Sequence, residues 1–166
     1  MVEIDIINEG WGDDAAWEAR AEQACAATLA ATPFANAFNS GAELCIRLST
    51  DEEVHALNRD WRDKDKPTNV LSFPQLEATD LSALLSSQSP GQPVLLGDII
   101  LARETCEREA SDKAVPYEAH ATHLVVHGLL HLLGYDHMTD EDAQMMESIE
   151  RHVMAHLRLH DPYGED

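Results

Sequence analysis

Three histidines recur between His127 and His137, with three and then five residues between them. Three residues separate His127 from His131, so an α-helix with 3.6 residues per turn would place them about 40° apart on one face. Gly134 predicts a helix end, because glycine readily adopts the left-handed conformation found there. The turn that follows can bring His137 back over the other two. Three imidazoles arranged in this way leave a fourth tetrahedral position for water or substrate, as in a catalytic zinc site.

The alternative interpretation is that these histidines are unrelated residues, exposed or hydrogen-bonded in the core. It predicts that the purified protein carries no stoichiometric metal. The spacing favours the metal site, which we take to bind one Zn²⁺, although other divalent transition metals also accept imidazole ligands. Zinc on neutral imidazoles lowers the pKa of its bound water to near 7 and polarises a carbonyl or phosphoryl oxygen. Hydrolysis is therefore the predicted reaction class.

The residue after the first histidine argues against peptide hydrolysis. The spacing His-x-x-x-His-x-x-Gly-x-x-His is that of metzincin proteases, which carry a glutamate directly after the first histidine as the general base. Gly128 occupies that position here. A metalloprotease-like hydrolase that uses another carboxylate as its base remains an alternative.

A short basic cluster of Arg62, Lys64 and Lys66 is the second candidate group. A guanidinium can bind phosphate through two parallel hydrogen bonds and neutralise charge in a phosphoryl-transfer transition state. We therefore predict phosphodiester hydrolysis with Arg62 as a catalytic residue and the two lysines in substrate binding. Aspartates interleave with these residues, so a solvated loop is the simpler alternative for the segment.

Three further residues are candidates for the cleft or for support of the metal ligands. Asp136 could orient an imidazole or assist a proton transfer, or it could be a turn residue. Asp98 interrupts an apolar stretch and could be a buried carboxylate, with a hydrogen bond to the backbone as the simpler role. His123 lies one turn before His127 and could line the cleft, although a hydrogen bond in the core is the role we favour.

Composition narrows the remaining possibilities. The 166 residues carry a net charge of −20, which argues against a broad nucleic-acid surface because phosphate binding needs clustered lysine and arginine. No apolar run approaches the ~20 residues of a membrane span, so we expect no membrane partner. The N-terminus lacks the basic region of a signal peptide, which makes the cytoplasm the expected location. The cysteines are odd in number and far apart, so we expect no disulfide framework.

Hydropathy patterns predict the elements that would position these residues. Strand-like alternation or continuous apolar character predicts four strands, which cover residues 2–6, 44–48, 69–73 and 94–101. Amphipathic periodicity and N-cap residues predict five helices, which cover residues 13–31, 50–61, 102–110 and 117–133 and a last helix from 139. The segment 75–93 predicts a long surface loop with one helical turn near 81–85.

The helix over 117–133 is apolar on all sides apart from a stripe of histidines, so it predicts a buried central helix. Together these elements predict an α+β fold: a single domain with a small mixed β-sheet packed with helices, and a zincin-like metal motif on the central helix. We assign residues 1–160 to one metal-dependent hydrolase domain. Residues 161–166 predict a polar, frayed tail.

The segment from His127 to His137 resembles the signature of the YbeY family of bacterial rRNA maturation endoribonucleases. Three further segments agree with that family in order and spacing: Leu57-Asn58 with Trp61-Arg62, Lys-Pro-Thr-Asn-Val-Leu-Ser-Phe-Pro at 66–74, and Leu-Gly-Asp-Ile at 96–99.

The resemblance implies a zinc ion on His127, His131 and His137, and it matches the functionally important arginine of the family to Arg62. It also implies endoribonuclease activity on single-stranded RNA in the maturation and quality control of small-subunit ribosomal RNA. Because the chain is strongly acidic, we expect the small ribosomal subunit or its assembly proteins to supply part of the RNA binding. A non-catalytic, metal-stabilised ribosome assembly factor is the other alternative.

Overall fold

The alternating and apolar stretches form one mixed sheet in a computed structural model, which describes residues 2–38, 40–64, 66–86 and 93–164. The strands are β1 (Val2–Asn8), β2 (Ala42–Ser49), β3 (Val70–Pro74) and β4 (Val94–Ala102). Their order across the sheet is β1-β2-β4-β3, with β1 parallel to β2, β2 parallel to β4, and β3 antiparallel to β4. The predicted four-stranded mixed sheet is confirmed, and β4 is an interior strand, as its continuous apolar character predicts.

Six helices accompany the sheet in the described residues, where about five were expected. They are α1 (Asp14–Ala30), α2 (Asp51–Arg62), α3 (Ala78–Leu85), α4 (Arg103–Lys113), α5 (Tyr117–Leu132) and α6 (Asp140–His156). The predicted caps Asp13, Thr50 and Thr139 each accept a backbone N–H of the first helical turn. The capping-box partner of Thr50 has another role, since the Glu53 carboxylate accepts a hydrogen bond from Arg47 at 2.8 Å.

The additional helix is α3, in the segment predicted as a long loop with one helical turn. Its N-terminus carries a capping box made by Glu77 and Asp80, a pattern of two acidic residues that the usual Ser/Thr-x-x-Glu signature does not cover. Leu84 is buried, which ties this helix to the core. Residues 87–92 of the predicted loop lie outside the described part of the chain.

Strand alternation divides the core between the two faces of the sheet. Ile99 of β4 packs in the large cluster that includes residues of α1 and α5, whereas the next residue, Ile100, packs with Val54 of α2 in a smaller cluster. Successive side chains of a strand point to opposite faces, so α5 and α2 lie on opposite sides of β4. Every residue of α5 from Ala119 to Val126 is buried, which confirms the predicted central helix.

The three cysteines are free, and none lies in a disulfide. Burial raises the pKa of the Cys25 and Cys106 thiols to about 12, which makes them inert apolar residues. No helix among the described residues is long and apolar enough to cross a membrane.

Candidate metal centre and its cleft

The three histidines of the motif meet where α5 ends. His127 and His131 lie on consecutive turns of α5, and their Nε2 atoms are 3.1 Å apart. Gly134 follows the helix with φ +95°, the left-handed conformation that ends the helix. The turn then brings the His137 ring within 5.2 Å of the His131 ring and 5.7 Å of the His127 ring, measured between centroids. One ligand atom from each residue lies within 4.8 Å of the others, a grouping that could hold a metal ion.

The outer nitrogens of the two helical histidines each face an acceptor. His131 Nδ1 is 3.0 Å from the carbonyl oxygen of Tyr135, and His127 Nδ1 is 2.6 Å from Oε1 of Glu150. A carbonyl oxygen and an ionised carboxylate only accept, so in the neutral rings both Nδ1 atoms carry the proton. Both Nε2 atoms then present a lone pair to the shared space between the rings.

Two facing lone pairs repel unless a cation or a proton lies between them. Burial, followed by the nearby His127, lowers the pKa of His131 to about 4, so this ring does not take up a proton near pH 7. The observed 3.1 Å is close to the separation of about 3.3 Å that two nitrogens have on a tetrahedral zinc with Zn–N bonds of about 2.05 Å. The arrangement of donors therefore fits a transition-metal ion.

Glu150 of α6 binds His127 on the side away from the cleft. Its side chain is fully buried, and besides His127 it binds His123 Nε2 at 3.2 Å and accepts the Tyr163 hydroxyl at 2.6 Å. Burial alone would raise the pKa of this carboxyl, but the hydrogen bonds from His123 and His127 outweigh burial and lower it to about 2. Glu150 is thus an anion that fixes the tautomer and orientation of His127.

His123, His127 and Glu150 also lie within 4.8 Å of one another. Their close contacts pair an imidazole nitrogen with a carboxylate oxygen, so hydrogen bonding accounts for them without a metal. We therefore treat this trio as support for the open site formed by His127, His131 and His137.

The tail that was predicted to be frayed takes part in this support. Tyr163 stacks edge-on against His123, with ring centroids 5.7 Å apart, and its backbone carbonyl accepts a hydrogen bond from Arg151. The prediction failed because one aromatic residue in a polar segment supplies both apolar area and a hydroxyl for the buried Glu150. Residues 165–166 lie outside the described part of the chain.

The histidines open into a cleft of about 710 Å³, and Arg62 lies in its lining together with the three rings. Arg62 is the last residue of α2 and is exposed. The chain leaves this helix through Asp63, whose φ of +54° is left-handed. Buried Asn58 binds the loop beyond it, accepting from the Lys64 amide at 3.1 Å and donating to the Lys66 carbonyl at 2.9 Å. Arg62 and the histidines thus meet in one cleft although His127 lies 65 positions after Arg62 in the sequence.

The sequence is similar to those of known proteins. The sequence profile of the family described as Endoribonuclease YbeY matches residues 5–158. The chain belongs to the YbeY endoribonuclease family. It is 52% identical to the Endoribonuclease YbeY of Rhizorhabdus wittichii over 99% of this chain and 98% of that protein. It is 53% identical to that of Sphingopyxis alaskensis over 93% and 92% of the two chains.

The family resemblance drawn from the motifs is therefore confirmed. The fold of this YbeY chain is also similar to the solution structure of TM1509 from Thermotoga maritima. That structure aligns with a TM-score of 0.56 over 98% of this chain and 99% of the other, at 22% sequence identity.

Not every predicted site residue of this YbeY chain lies at the cleft. Asp136 lines it, and its Oδ1 accepts the Met138 amide at 3.2 Å, the turn role given as the alternative. His123 is buried behind the ligands, on Glu150. Asp98 does not join them: like Ile100, it points to the α2 face of β4, where it lines a different pocket with Cys45. The strand parity that turns Ile99 towards α5 turns Asp98 away.

The two lysines are likewise outside the cleft lining. Lys64 and Lys66 are exposed on the loop after α2, and among the described residues the cleft is lined by Arg62 and not by either lysine. The solvated-loop interpretation describes them better than direct contact with a substrate at the histidines.

Glu150 is the functional residue that sequence reasoning missed. It lies 23 residues from its partner His127 on another helix, so no local spacing relates the two. A signal was nevertheless present, because Glu150 falls four residues after Met146 and three before Val153 on the buried face of α6. A carboxylate within an apolar stripe must have partners, since burying an unpaired charge is costly.

Gly128 packs α5 against the sheet, and we expect its replacement to destabilise the protein. A Cβ at this position would lie 2.9 Å from Cγ2 of Ile99 and 3.1 Å from Oγ of Ser72. Overpacking a core costs about 1–3 kcal/mol, which exceeds the ~1 kcal/mol that alanine gains over glycine in a helix. Gly128→Ala should lower the free energy of unfolding by about 1 kcal/mol in urea denaturation.

The same geometry makes Gly128→Glu far more damaging, because a carboxylate would be driven into the sheet. A metzincin carries its base at this position, but the variant should gain no peptidase activity, because the glutamate side chain would point into the sheet and away from the metal. A Gly128→Ala variant as stable as the parent protein would show that the close contact relaxes at no cost.

Proposed function

We propose that this chain is a zinc-dependent endoribonuclease that hydrolyses phosphodiesters of single-stranded RNA. Its substrate is ribosomal RNA of the small subunit, and it acts in the cytoplasm in ribosome maturation and quality control. The observation that carries the proposal is the pair of facing Nε2 lone pairs, 3.1 Å apart, in the same cleft as an exposed arginine. Membership of the YbeY family supports the reaction class.

Zinc suits this donor set because three neutral imidazoles leave one tetrahedral position open. When bound, it supplies a Lewis acid for a phosphoryl oxygen and lowers the pKa of water to near 7. His127, His131 and His137 would hold it. Glu150 keeps Nε2 of His127 unprotonated by accepting a hydrogen bond from the N–H at Nδ1, and the Tyr135 carbonyl does the same for His131.

Arg62 binds the phosphate that is to be cleaved. Its guanidinium offers parallel N–H donors to two non-bridging oxygens and offsets the charge that builds on them. Among the described cleft-lining residues Asp136 alone carries a carboxylate, so we assign it the proton released by the attacking water. This residue set lacks the metzincin glutamate, and the packing at Gly128 leaves no room for one, which disfavours peptide hydrolysis by the metzincin mechanism. Against a peptidase with another carboxylate as its base, Arg62 in the cleft favours a phosphodiester substrate.

The net charge of −20 limits the affinity of the isolated chain for RNA, since the electrostatic part of such binding needs clustered cations. We propose that the small ribosomal subunit or one of its assembly proteins presents the RNA. The arginine in the cleft then contributes to catalysis and specificity more than to overall affinity.

Reversing the charge at Arg62 tests its assignment. Arg62→Glu should lower kcat for single-stranded RNA by about 100-fold or more, the loss seen when one transition-state donor is removed. Zinc content and thermal stability should stay at the parent values, because Arg62 is exposed. The matched control is Lys64→Glu, which changes the charge equally on an exposed residue outside the cleft lining.

Equal losses in both variants would mean that general electrostatics, and not a contact in the cleft, explains the effect. Loss of zinc from Arg62→Glu would make the arginine structural. If the parent protein binds zinc and ribosomal subunits but cleaves no RNA at any concentration, the non-catalytic assembly factor is the correct alternative.

A further inference from the structure

Trp61 is a large aromatic residue that the fold leaves exposed at the rim of the cleft. Its exposed fraction is 74%, whereas Trp11 and Trp17 are 2% and 5% exposed and pack edge-on against each other. Full burial of a large apolar side chain stabilises a protein by roughly 1.5–3 kcal/mol. An exposed tryptophan contributes little of this, so its position needs a reason other than folding.

The position of Trp61 relates it to two cavities. It lines the histidine cleft of about 710 Å³, and it also lines a second pocket of about 540 Å³. Phe73 and Pro74 line both cavities as well, so these three side chains form the ridge between them. The second pocket has apolar walls with Arg47 and Asp98 as its charged groups, which is the usual make-up of a small-ligand site.

The neighbour of Trp61 in the sequence is the proposed phosphate ligand. Consecutive residues of a helix point about 100° apart. Arg62 accordingly lines the histidine cleft but not the second pocket, while Trp61 lines both. One strand of RNA crossing the ridge would thus meet a guanidinium and an indole in succession, and a phosphate and its adjacent base follow each other in the same way along a nucleotide chain.

We propose that Trp61 stacks the nucleobase next to the phosphate bound by Arg62, and that this base lies on the side of the 540 Å³ pocket. The inference rests on the proposed function and deepens it by naming a base subsite. Stacking on an aromatic ring tolerates every base, because each has a π-face. It also requires no positive charge, so it provides affinity for RNA in a chain whose net charge of −20 opposes electrostatic binding.

The first measurement is the tryptophan fluorescence of the zinc-loaded protein on rapid mixing with a short single-stranded RNA, before turnover. Trp11 and Trp17 are buried, so quenching on mixing reports Trp61. We expect saturable quenching in the parent protein and none in Trp61→Phe. The same RNA with one abasic nucleotide, moved along the chain, should lose affinity at one position by about tenfold, within the range of base–aromatic stacking.

The second measurement is steady-state cleavage. Trp61→Ala should raise KM by about tenfold and leave kcat close to the parent value, because stacking binds ground state and transition state alike. Trp61→Phe should restore most of the loss, and the abasic position should carry no further penalty in Trp61→Ala. Met145→Ala, which removes another exposed apolar side chain outside both cavities, is the control and should leave KM unchanged.

The outcomes separate this inference from the proposed function. If Trp61→Ala cleaves RNA with an unchanged KM, the stacking subsite is wrong and the endoribonuclease activity stands. The same conclusion follows if the parent protein cleaves RNA without any quenching of its fluorescence. Quenching that is lost at one abasic position, in a protein that cuts no RNA, supports the subsite and refutes the activity. If neither RNA binding nor quenching occurs and a purified ribosomal protein quenches Trp61 instead, the ridge is a protein-docking surface and the inference is wrong.

Discussion

Replacing His131 with alanine is expected to abolish RNA cleavage and to remove bound zinc together. The ring centroid lies 4.6 Å from that of His127 and 5.2 Å from that of His137, and Nδ1 is 3.0 Å from the Tyr135 carbonyl oxygen. Without it two ligands remain, fewer than the three of a catalytic zinc site. The loss should be at least about 1,000-fold in kcat/KM, because a metal and its activated water contribute several kcal/mol to transition-state stabilisation. Elemental analysis and a single-stranded RNA assay on the same preparation measure both effects.

The matched control for His131→Ala is His152→Ala, which removes an exposed imidazole on α6. It should keep both zinc and activity, and it passes through the same purification, so any contaminating nuclease would appear equally in the two samples. Cleavage by His131→Ala at the rate of the control would refute the assignment of the metal centre.

The second large effect is expected at Glu150. Glu150→Ala leaves His127 Nδ1, His123 Nε2 and the Tyr163 hydroxyl without their shared acceptor in a fully buried position. Breaking a buried charge network typically costs about 3–5 kcal/mol, and losing such support for a metal-bound histidine lowers metal affinity about 10- to 100-fold. Denaturation of the metal-free protein and competitive zinc titration measure the two effects separately. Glu147→Ala, one turn earlier on α6, is the control for the loss of charge.

The pH dependence of the stability of the metal-free protein tests whether Glu150 is charged. The pKa of Glu150 is depressed from 4.5 to about 2, so its contribution to stability is complete above pH 4.5 and is lost as the pH falls towards 2. The pKa of His131 is depressed from 6.5 to about 4. As the pH falls from 6.5 to 4, the unfolded state therefore binds a proton that the folded state does not, and the fold loses stability. Glu150→Gln should therefore flatten the lower range. Because the Glu150 carboxylate raises the pKa of His123 and His131, its loss should also steepen the fall of stability between pH 6.5 and 4. An unchanged profile below pH 4.5 would contradict a charged Glu150.

The local parts of the site could be predicted from the sequence because helical geometry relates close neighbours. The spacing of His127 and His131 determines their common face, and Gly134 marks the end that lets His137 return. The buried α5 and β4 follow from apolar runs that leave no polar side for solvent. Arg62 could be predicted as a site residue from its chemistry and from its family motif. Its proximity to the histidines could not be predicted from their separation along the chain.

The parts that could not be predicted depend on how elements pack. Glu150 reaches His127 only because α6 packs beside α5, and Tyr163 reaches Glu150 only because the chain turns back after α6. Asp98 was only a candidate for the cleft, and its side of the sheet could not be predicted. Alternation shows that neighbouring residues of β4 face opposite sides, but not which side α5 covers. The sequence shows that Gly128 replaces the metzincin base. The close contact of Gly128 with Ile99 follows only from how α5 packs against β4.

The most direct test of the account is to titrate zinc into the metal-free protein while following cleavage of single-stranded RNA. Three imidazoles around one open position predict that activity is absent without metal and rises in proportion to bound zinc until one ion is bound per chain. His131→Ala, titrated in parallel, should stay inactive throughout. Full cleavage by protein that elemental analysis shows to be free of metal, or cleavage that does not depend on the zinc added, would contradict the metal centre as the site of the reaction.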